Sequence, residues 1–155
     1  MFERKMTKGT HEFLIKRKSE LSARIKILNS DFSGHQRAML HDDSGTYREI
    51  INAQNEINEI GDLRKIVYII PRENISDVGI GNEVTLKYDN EDEEKFIFLS
   101  KDDVSYRQDL GPLISEDSPL GSLIRGKSAG EEVDLAIRNM NVRVKIVSID
   151  KGIFE

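Results

Sequence analysis

Apolar side chains in the first part of the chain recur in steps of four and three. Leu14, Leu21, Ile25, Leu28, Phe32 and Met39 fall on one heptad seam, with Lys18 and His35 in its two remaining slots. This is the pattern of a two-helix coiled coil. No proline interrupts it, and Thr10 is the expected N-cap, a hydroxyl that accepts from a free backbone N–H. His41-Asp42-Asp43-Ser44-Gly45-Thr46 then breaks the rhythm with residues that favour turns. The heptad resumes at Ile50, Ala53, Ile57, Ile60 and Val67, with Arg64 as a charged intruder covered by Leu63. The spacing predicts helices over residues 10–41 and 46–69. Each buries a stripe too narrow to be stable alone, so the two should pack as an antiparallel hairpin. The short turn favours that pairing over an intermolecular coiled coil, which would use the same stripe. A helix of 30 residues is about 45 Å long, which puts Asp42 and Asp43 at the tip of a rod.

Pro71 ends the helical half, and the period changes to two. Glu83–Tyr88 alternates, Asp89-Asn90-Glu91-Asp92 reads as a turn, and Lys95–Leu99 as the return strand. Leu110–Ile114 reads as a further short strand. Ser118-Pro119-Leu120-Gly121-Ser122-Leu123-Ile124 reads as a short helix with Ser118 as N-cap, Pro119 at its first position and Gly126 as its stop. Glu132–Ile137 and Val142–Ile149 alternate again around an expected turn at Asn139-Met140-Asn141. The second half therefore reads as a small, twisted antiparallel sheet closed over one short helix.

Composition sharpens this picture. Of 155 residues, 37% are hydrophobic and 33% charged, a low apolar share for one compact core and a fitting one for a chain with an elongated part. The expected division is a hairpin over 1–72 and a β domain over 76–155. The net charge of −5 gives no global case for nucleic-acid binding. The absence of cysteine excludes disulfides and thiolate metal sites. No apolar run reaches the ~20 residues of a membrane span, and Met1-Phe2-Glu3-Arg4-Lys5 is too polar for a signal peptide. The expectation is a cytoplasmic monomer that does not engage membranes.

Charge is unevenly spread. Residues 1–41 carry nine Lys/Arg against four Asp/Glu, and the chain turns acidic at residue 42. Lys16, Arg17 and Lys18 with Arg24 and Lys26 form either a solvated helix face or a positive stripe that steers the rod toward RNA or an acidic surface. Asp42 and Asp43 form either a solvated turn or a pair of carboxylates for a partner. His41 beside them does not make a transition-metal site, because three ligands in a row on a turn rarely converge. Glu91-Asp92-Glu93-Glu94 reads as an exposed acidic turn. Gly79-Ile80-Gly81 lacks the further glycine and helix of a phosphate-binding loop. No catalytic constellation is visible, so the chain is not expected to be an enzyme in its own right.

Residues 78–150 resemble the C-terminal domain of the GreA/GreB transcript-cleavage factors. The resemblance is carried by Ile114-Ser115-Glu116-Asp117-Ser118-Pro119-Leu120-Gly121-Ser122-Leu123-Ile124-Arg125-Gly126-Lys127, by Gly130-Glu131-Glu132-Val133, and by the ending Val142–Ile149. The first half is similar in plan: Met6-Thr7-Lys8-Gly9 precedes the first helix, and the turn lies where the family places its tip. There the family has Gly-Asp-Leu, a charged residue, Glu-Asn, and a Tyr three residues after the Glu. Asp42 and Tyr47 match the Asp and Tyr, but the stretch is about two residues shorter and the Glu and Asn have no clear counterpart.

The resemblance implies an α+β chain, an N-terminal antiparallel two-helix coiled-coil hairpin followed by an FKBP-like antiparallel β domain with one short helix. It does not extend to prolyl isomerase activity, which needs a deep aromatic pocket, whereas Tyr88, Phe96, Phe98, Tyr106 and Phe154 fall mostly at core positions. It further implies a factor that binds bacterial RNA polymerase at the secondary channel and modulates backtracked or paused complexes. Asp42 and Asp43 would then help hold a Mg²⁺ shared with the polymerase near the nascent RNA 3′ end, with no cofactor bound stably. Lys16, Arg17, Arg24, Ser118, Pro119 and Leu120 would contact the polymerase. Three alternatives stay open: a non-cleaving regulator or inhibitor of the polymerase, a protein-interaction module with a coiled-coil spacer, and a nucleotide-metabolism regulator with a shorter coil. The length of the heptad runs argues against the last.

Overall fold

The computed structural model describes residues 3–36, 44–89 and 92–152. They form a mixed α+β chain of two compact units, His11–Lys65 and a second unit made of Met1–Thr10 with Ile66–Glu155. No helix among the described residues is long and apolar enough to cross a membrane.

The helical unit is built from α1, Lys8–Gln36, whose first residues belong to the other unit, and α2, Ser44–Ile60. Leu14, Leu21, Leu28, Ala53 and Ile60 are buried along the seam, and Ile25, Ile50 and Ile57 are half-buried. Moving seven residues along α1, from Arg17 to Arg24, moves the ion-pair partner seven residues back along α2, from Glu56 to Glu49. The helices are therefore antiparallel. Phe32, His35 and Met39 lie outside the residues whose side chains are described.

The second helix ends nine residues earlier than its heptad pattern predicts. Gly61 adopts a left-handed φ of 68° and its N–H donates to the Ile57 carbonyl at 3.0 Å, a glycine stop. Asp62 then accepts from the Arg64 backbone N–H at 2.9 Å, a local turn. Ile66–Tyr68 forms strand β2, paired in parallel with β1, Arg4–Met6. Val67 therefore occupies a strand, 42% exposed, instead of a helical seam.

The other unit holds a five-stranded sheet: β3 Asn82–Tyr88, β4 Glu93–Leu99, β5 Leu113–Ser115, β6 Glu132–Ile137 and β7 Met140–Lys151, in the order β5-β4-β3-β7-β6. It is antiparallel except at β4–β5. The cause is a helix that the sequence pattern does not announce, α3, Lys101–Tyr106, which carries the chain over so that β5 re-enters beside β4 in parallel. Leu110, expected in a strand, sits in a single 3-10 turn, Gln108–Leu110. The β6–β7 turn is also one step earlier than expected. Ile137 pairs with Met140, leaving Arg138 and Asn139 at φ 46° and 67° as a two-residue turn. One face of the sheet buries Val84, Leu86, Phe98, Val133, Leu135, Val144 and Ile146 against α4, Pro119–Ile124, through Ile124.

The first ten residues join this unit instead of the hairpin, so the division differs from the expected 1–72 and 76–155. The tie is Asp103, fully buried on α3. One carboxylate oxygen accepts from the Thr7 backbone N–H at 2.9 Å and the Thr7 hydroxyl at 3.0 Å. The other accepts from the Ser100 hydroxyl at 2.6 Å. Thr7 Oγ1 in turn accepts from the Thr10 N–H at 3.4 Å, so Thr7, not Thr10, caps α1. Thr10 is a buried side chain packed behind that cap, its hydroxyl 3.1 Å from that of Thr7.

Asp103→Ala removes the acceptor of three donors. The Ser100 hydroxyl keeps the Lys5 carbonyl at 3.2 Å and the Thr7 hydroxyl keeps Thr10 Oγ1 at 3.1 Å, so the buried Thr7 N–H loses the acceptor it had. We expect a loss of about 1–3 kcal/mol in urea-induced unfolding, the cost of one orphaned buried donor. Asp103→Asn, which keeps the shape but exchanges an acceptor for a donor, should fall between the two.

Candidate functional site

Three arginines of the helical unit, Arg17, Arg24 and Arg64, are each bonded to a carboxylate. The Arg17 guanidinium forks onto Glu56, with Nε–Oε1 at 2.7 Å and Nη2–Oε2 at 3.1 Å, a hydrogen bond that pushes its pKa further up. Arg24 places Nε and Nη2 on Glu49 Oε1 at 3.0 and 2.8 Å. Two of the three expected partner-binding cations of α1 therefore already bridge α1 to α2. Lys16 is exposed, 3.9 Å from Glu20 one turn on, and Lys26 is exposed. Near the end of α2, the Lys18 ammonium donates to the Gly61 carbonyl at 2.7 Å. Arg64 holds the Asp62 carboxyl well below the usual range, chiefly through its side-chain hydrogen bonds. Asp42 and Asp43, with His41, lie outside the described residues. Among the described residues, no three His, Asp or Glu side chains gather where a metal ion could be held.

In the other unit, the expected contact residues Ser118, Pro119 and Leu120 open α4. Ser118 Oγ accepts from the Gly121 N–H at 3.0 Å and donates to the Ser115 carbonyl at 2.7 Å, so its side chain is occupied as a cap. Pro119 is exposed and Leu120 is half-buried against the core. Gly121 sits so close to the Ser115 backbone that a Cβ there would lie 1.9 Å from its carbonyl oxygen. The Ser-Pro-Leu-Gly string is thus a clamp that seats α4 against β5, with Pro119 as its outward surface. The cations of α1 and the Ser118–Leu120 segment belong to different units.

Gly79 and Gly81 serve packing. A Cβ on Gly81, at φ 96°, would lie 2.5 Å from the Pro71 side chain, and one on Gly79 would lie 2.3 Å from that of Arg72. Asn82, fully buried, accepts from the Gly79 N–H at 2.9 Å and donates to the Asn74 carbonyl at 3.0 Å. Val67, Tyr68, Ile70 and Ile75 are 42, 50, 85 and 53% exposed. Sequence reading misses the exposure of Val67 and Tyr68 because the expected helix 46–69 covers them. Of the acidic run, Glu93 and Glu94 are in β4, and Asn90 and Glu91 lie outside the described residues. Among the aromatics, Phe98 is buried, Tyr88 and Phe96 pack on the core, and Tyr106 lies under the Arg4 guanidinium, 5.2 Å from the ring centre. Burial pushes the Tyr88 phenol up. Phe154 lies outside the described residues.

An antiparallel helix pair and a curled, antiparallel-rich sheet with a Ser-Pro-capped helix packed on it define a mixed α+β protein. The family model described as transcription elongation factor, GreA/GreB, C-terminal, matches residues 73–151. The chain belongs to the GreA/GreB family. The transcription elongation factor GreA of Limosilactobacillus fermentum is 25% identical over 150 residues, which cover 94% of this chain and 90% of that protein. Among solved structures, the GreA factor homolog 1 (Gfh1) protein of Thermus thermophilus is 19% identical with a TM-score of 0.42, covering 96% of this chain and 99% of that one. Gfh1 of Thermus aquaticus is 21% identical with a TM-score of 0.43, covering 96% and 98%. These structural likenesses are remote.

Gly121→Ala should lower stability by about 2 kcal/mol or more, an overpacking cost against rigid backbone. Leu123→Ala, two residues on and 37% exposed, should change it by no more than about 0.5 kcal/mol. Thermal unfolding of the two variants checks the contrast.

Proposed function

We propose that this chain is a transcription elongation factor that binds bacterial RNA polymerase and carries its helix-pair tip through the secondary channel to the active centre. On this reading the helical unit is a coiled-coil hairpin and the sheet unit an FKBP-like docking domain. The observation that carries the reading is the family match over residues 73–151, supported by the likeness to a GreA over nearly the whole chain. The antiparallel course of α1 and α2, read from the ion pairs between them, supports a hairpin reading.

The chemistry follows from the tip's residue types. Asp42 and Asp43 offer hard carboxylate oxygens, the donor type that Mg²⁺ selects. A Mg²⁺ shared with the polymerase would supply charge neutralisation at the phosphoryl group being hydrolysed. The catalytic machinery belongs to the polymerase, and the chain contributes oxygen donors close to the RNA 3′ end. The missing Glu-Asn and the shortened tip favour weak stimulation of cleavage, or modulation of pausing without it.

Two measurements test this. The full chain should be retained on immobilised bacterial RNA polymerase, and failure to bind would remove the reading. On the solvated-turn reading of the pair, Asp42→Ala with Asp43→Ala should shift unfolding by no more than about 0.5 kcal/mol, as surface substitutions usually do. It should keep polymerase binding and abolish any effect on RNA cleavage or elongation in a stalled complex. Wild-type behaviour of the double variant in every transcription assay would reduce the acidic pair to a turn.

A further inference from the structure

The β6–β7 hairpin carries its apolar stripe one step past the core. On the core-facing side, Val133 pairs with Val144 and Leu135 with Val142, and all four pack in or against the core. Side chains alternate faces along a strand, so the next pair on that side is Ile137 with Met140. These two are 46 and 69% exposed. The turn between them is also at odds with its residues. Arg138 and Asn139 sit at φ 46° and 67°, the geometry of a two-residue turn that favours Asn-Gly. Asparagine tolerates left-handed backbone, whereas an arginine there meets the clash of its Cβ with the carbonyl. The Arg138 side chain is exposed and, among the described residues, has no ion-pair partner.

We propose that the Ile137–Met140 tip is an anchor that enters an apolar pocket, edged by a carboxylate, on a protein surface of RNA polymerase. The inference rests on the polymerase reading and adds the segment and the chemistry of one contact. A turn that served only to reverse the chain would carry polar residues at 137 and 140 and Asn or Gly at 138. The three departures fall within four residues, and a residue held in strained backbone marks a place that serves something besides the turn. In a pocket, Ile137 and Met140 shed water from apolar surface, and the Arg138 guanidinium forks onto the carboxylate. Methionine and arginine are among the residues enriched in the buried centres of protein interfaces, and such anchors sit in pockets of the partner.

Charge and size set the occupant. A phosphate backbone needs several cations along its track. The tip offers Arg138, and the next cation along β7, Arg143, lies 3.7 and 3.5 Å from Glu132 and Asp134. A second copy held through this tip would need about 800 Å² per partner, more than one isoleucine and one methionine on a two-residue turn supply. A convex tip with two apolar side chains and one cation is matched by a concave apolar site with one anion, as one anchor of a wider protein contact.

The test measures affinity of the full chain for bacterial RNA polymerase core by fluorescence anisotropy, alongside melting curves. Ile137→Thr with Met140→Thr replaces the apolar pair by β-branched residues that suit a strand. Arg138→Asn removes the guanidinium and suits the left-handed turn. Asn139→Gly, the control, eases the turn and leaves the anchor side chains in place. We expect the threonine pair to bind at least tenfold more weakly than wild type. Arg138→Asn should bind at least fivefold more weakly while melting at or above the wild-type temperature, a combination that a merely structural role would not give. Asn139→Gly should bind within twofold of wild type. If the threonine pair melts early, Arg138→Asn carries the test under the same expectation. Wild-type affinity in the anchor variants overturns the proposal while leaving the polymerase reading intact. So does a wild-type dimer that the anchor variants dissociate without loss of polymerase affinity. Absence of wild-type binding defeats both readings and is seen before any variant is made.

Discussion

A single buried carboxylate organises the start of this chain. Asp103 has no exposure to solvent, and its oxygens take hydrogen bonds from Thr7 and Ser100. A buried carboxylate is tolerable only when its lone pairs are filled, so the residues that fill them are held as firmly as the charge itself. That requirement places Thr7 as the cap of α1. It sets the first ten residues within the sheet unit, and it gives β1 a fixed partner in β2. The polar, six-residue helix α3 exists in this fold to present that one side chain and to carry the chain across to β5.

The helical unit answers a different constraint. Two helices that share only a narrow stripe must add interactions along the flanks or fray. Here the addition is one-sided. Arg17 and Arg24 are spaced by seven residues, as are Glu49 and Glu56, and the antiparallel course matches them fork to carboxylate. Exposed ion pairs contribute little stability, typically about 0–1 kcal/mol each. Their larger effect is to fix the register of α1 against α2. Arg17 and Arg24, which read in isolation as part of a steering stripe, thus act within the unit.

Much of this architecture was legible in the sequence, and the failures have physical causes. The α1–α2 seam, the β3–β4 pair, and the capping of α4 by Ser118 and Pro119 each follow from local periodicity or turn chemistry. Val67 misled because a heptad slot continues past Gly61 by coincidence, and one left-handed glycine outweighs it. Thr10 misled because the choice of cap is made by Asp103, 96 residues from Thr7. Helix α3 gave no signal because its one fully buried residue is an aspartate. The C-terminal motif spoke for the family because its Ser, Pro and Gly residues each answer a backbone need that few other residues meet. The partner-facing chemistry was less legible. Arg17 and Arg24 reveal their role only once α2 is laid beside α1, and the exposure of Val67 and Tyr68 appears only when the second helix stops short.

The central claim is that a GreA/GreB-family hairpin brings its tip to the active centre of RNA polymerase. The chain has no cysteine, so a single introduced thiol reports on one place. Gly45 is the position of choice, because a Cβ there meets nothing within 4 Å. Gly45→Cys carrying a tethered iron chelate, bound to a stalled elongation complex, generates hydroxyl radicals that cut within a short radius of the tip. The account predicts cuts in the nascent RNA beside its 3′ end and in polymerase segments lining the active centre. Cuts confined to the outer surface of the polymerase, with the RNA 3′ end intact, would contradict it.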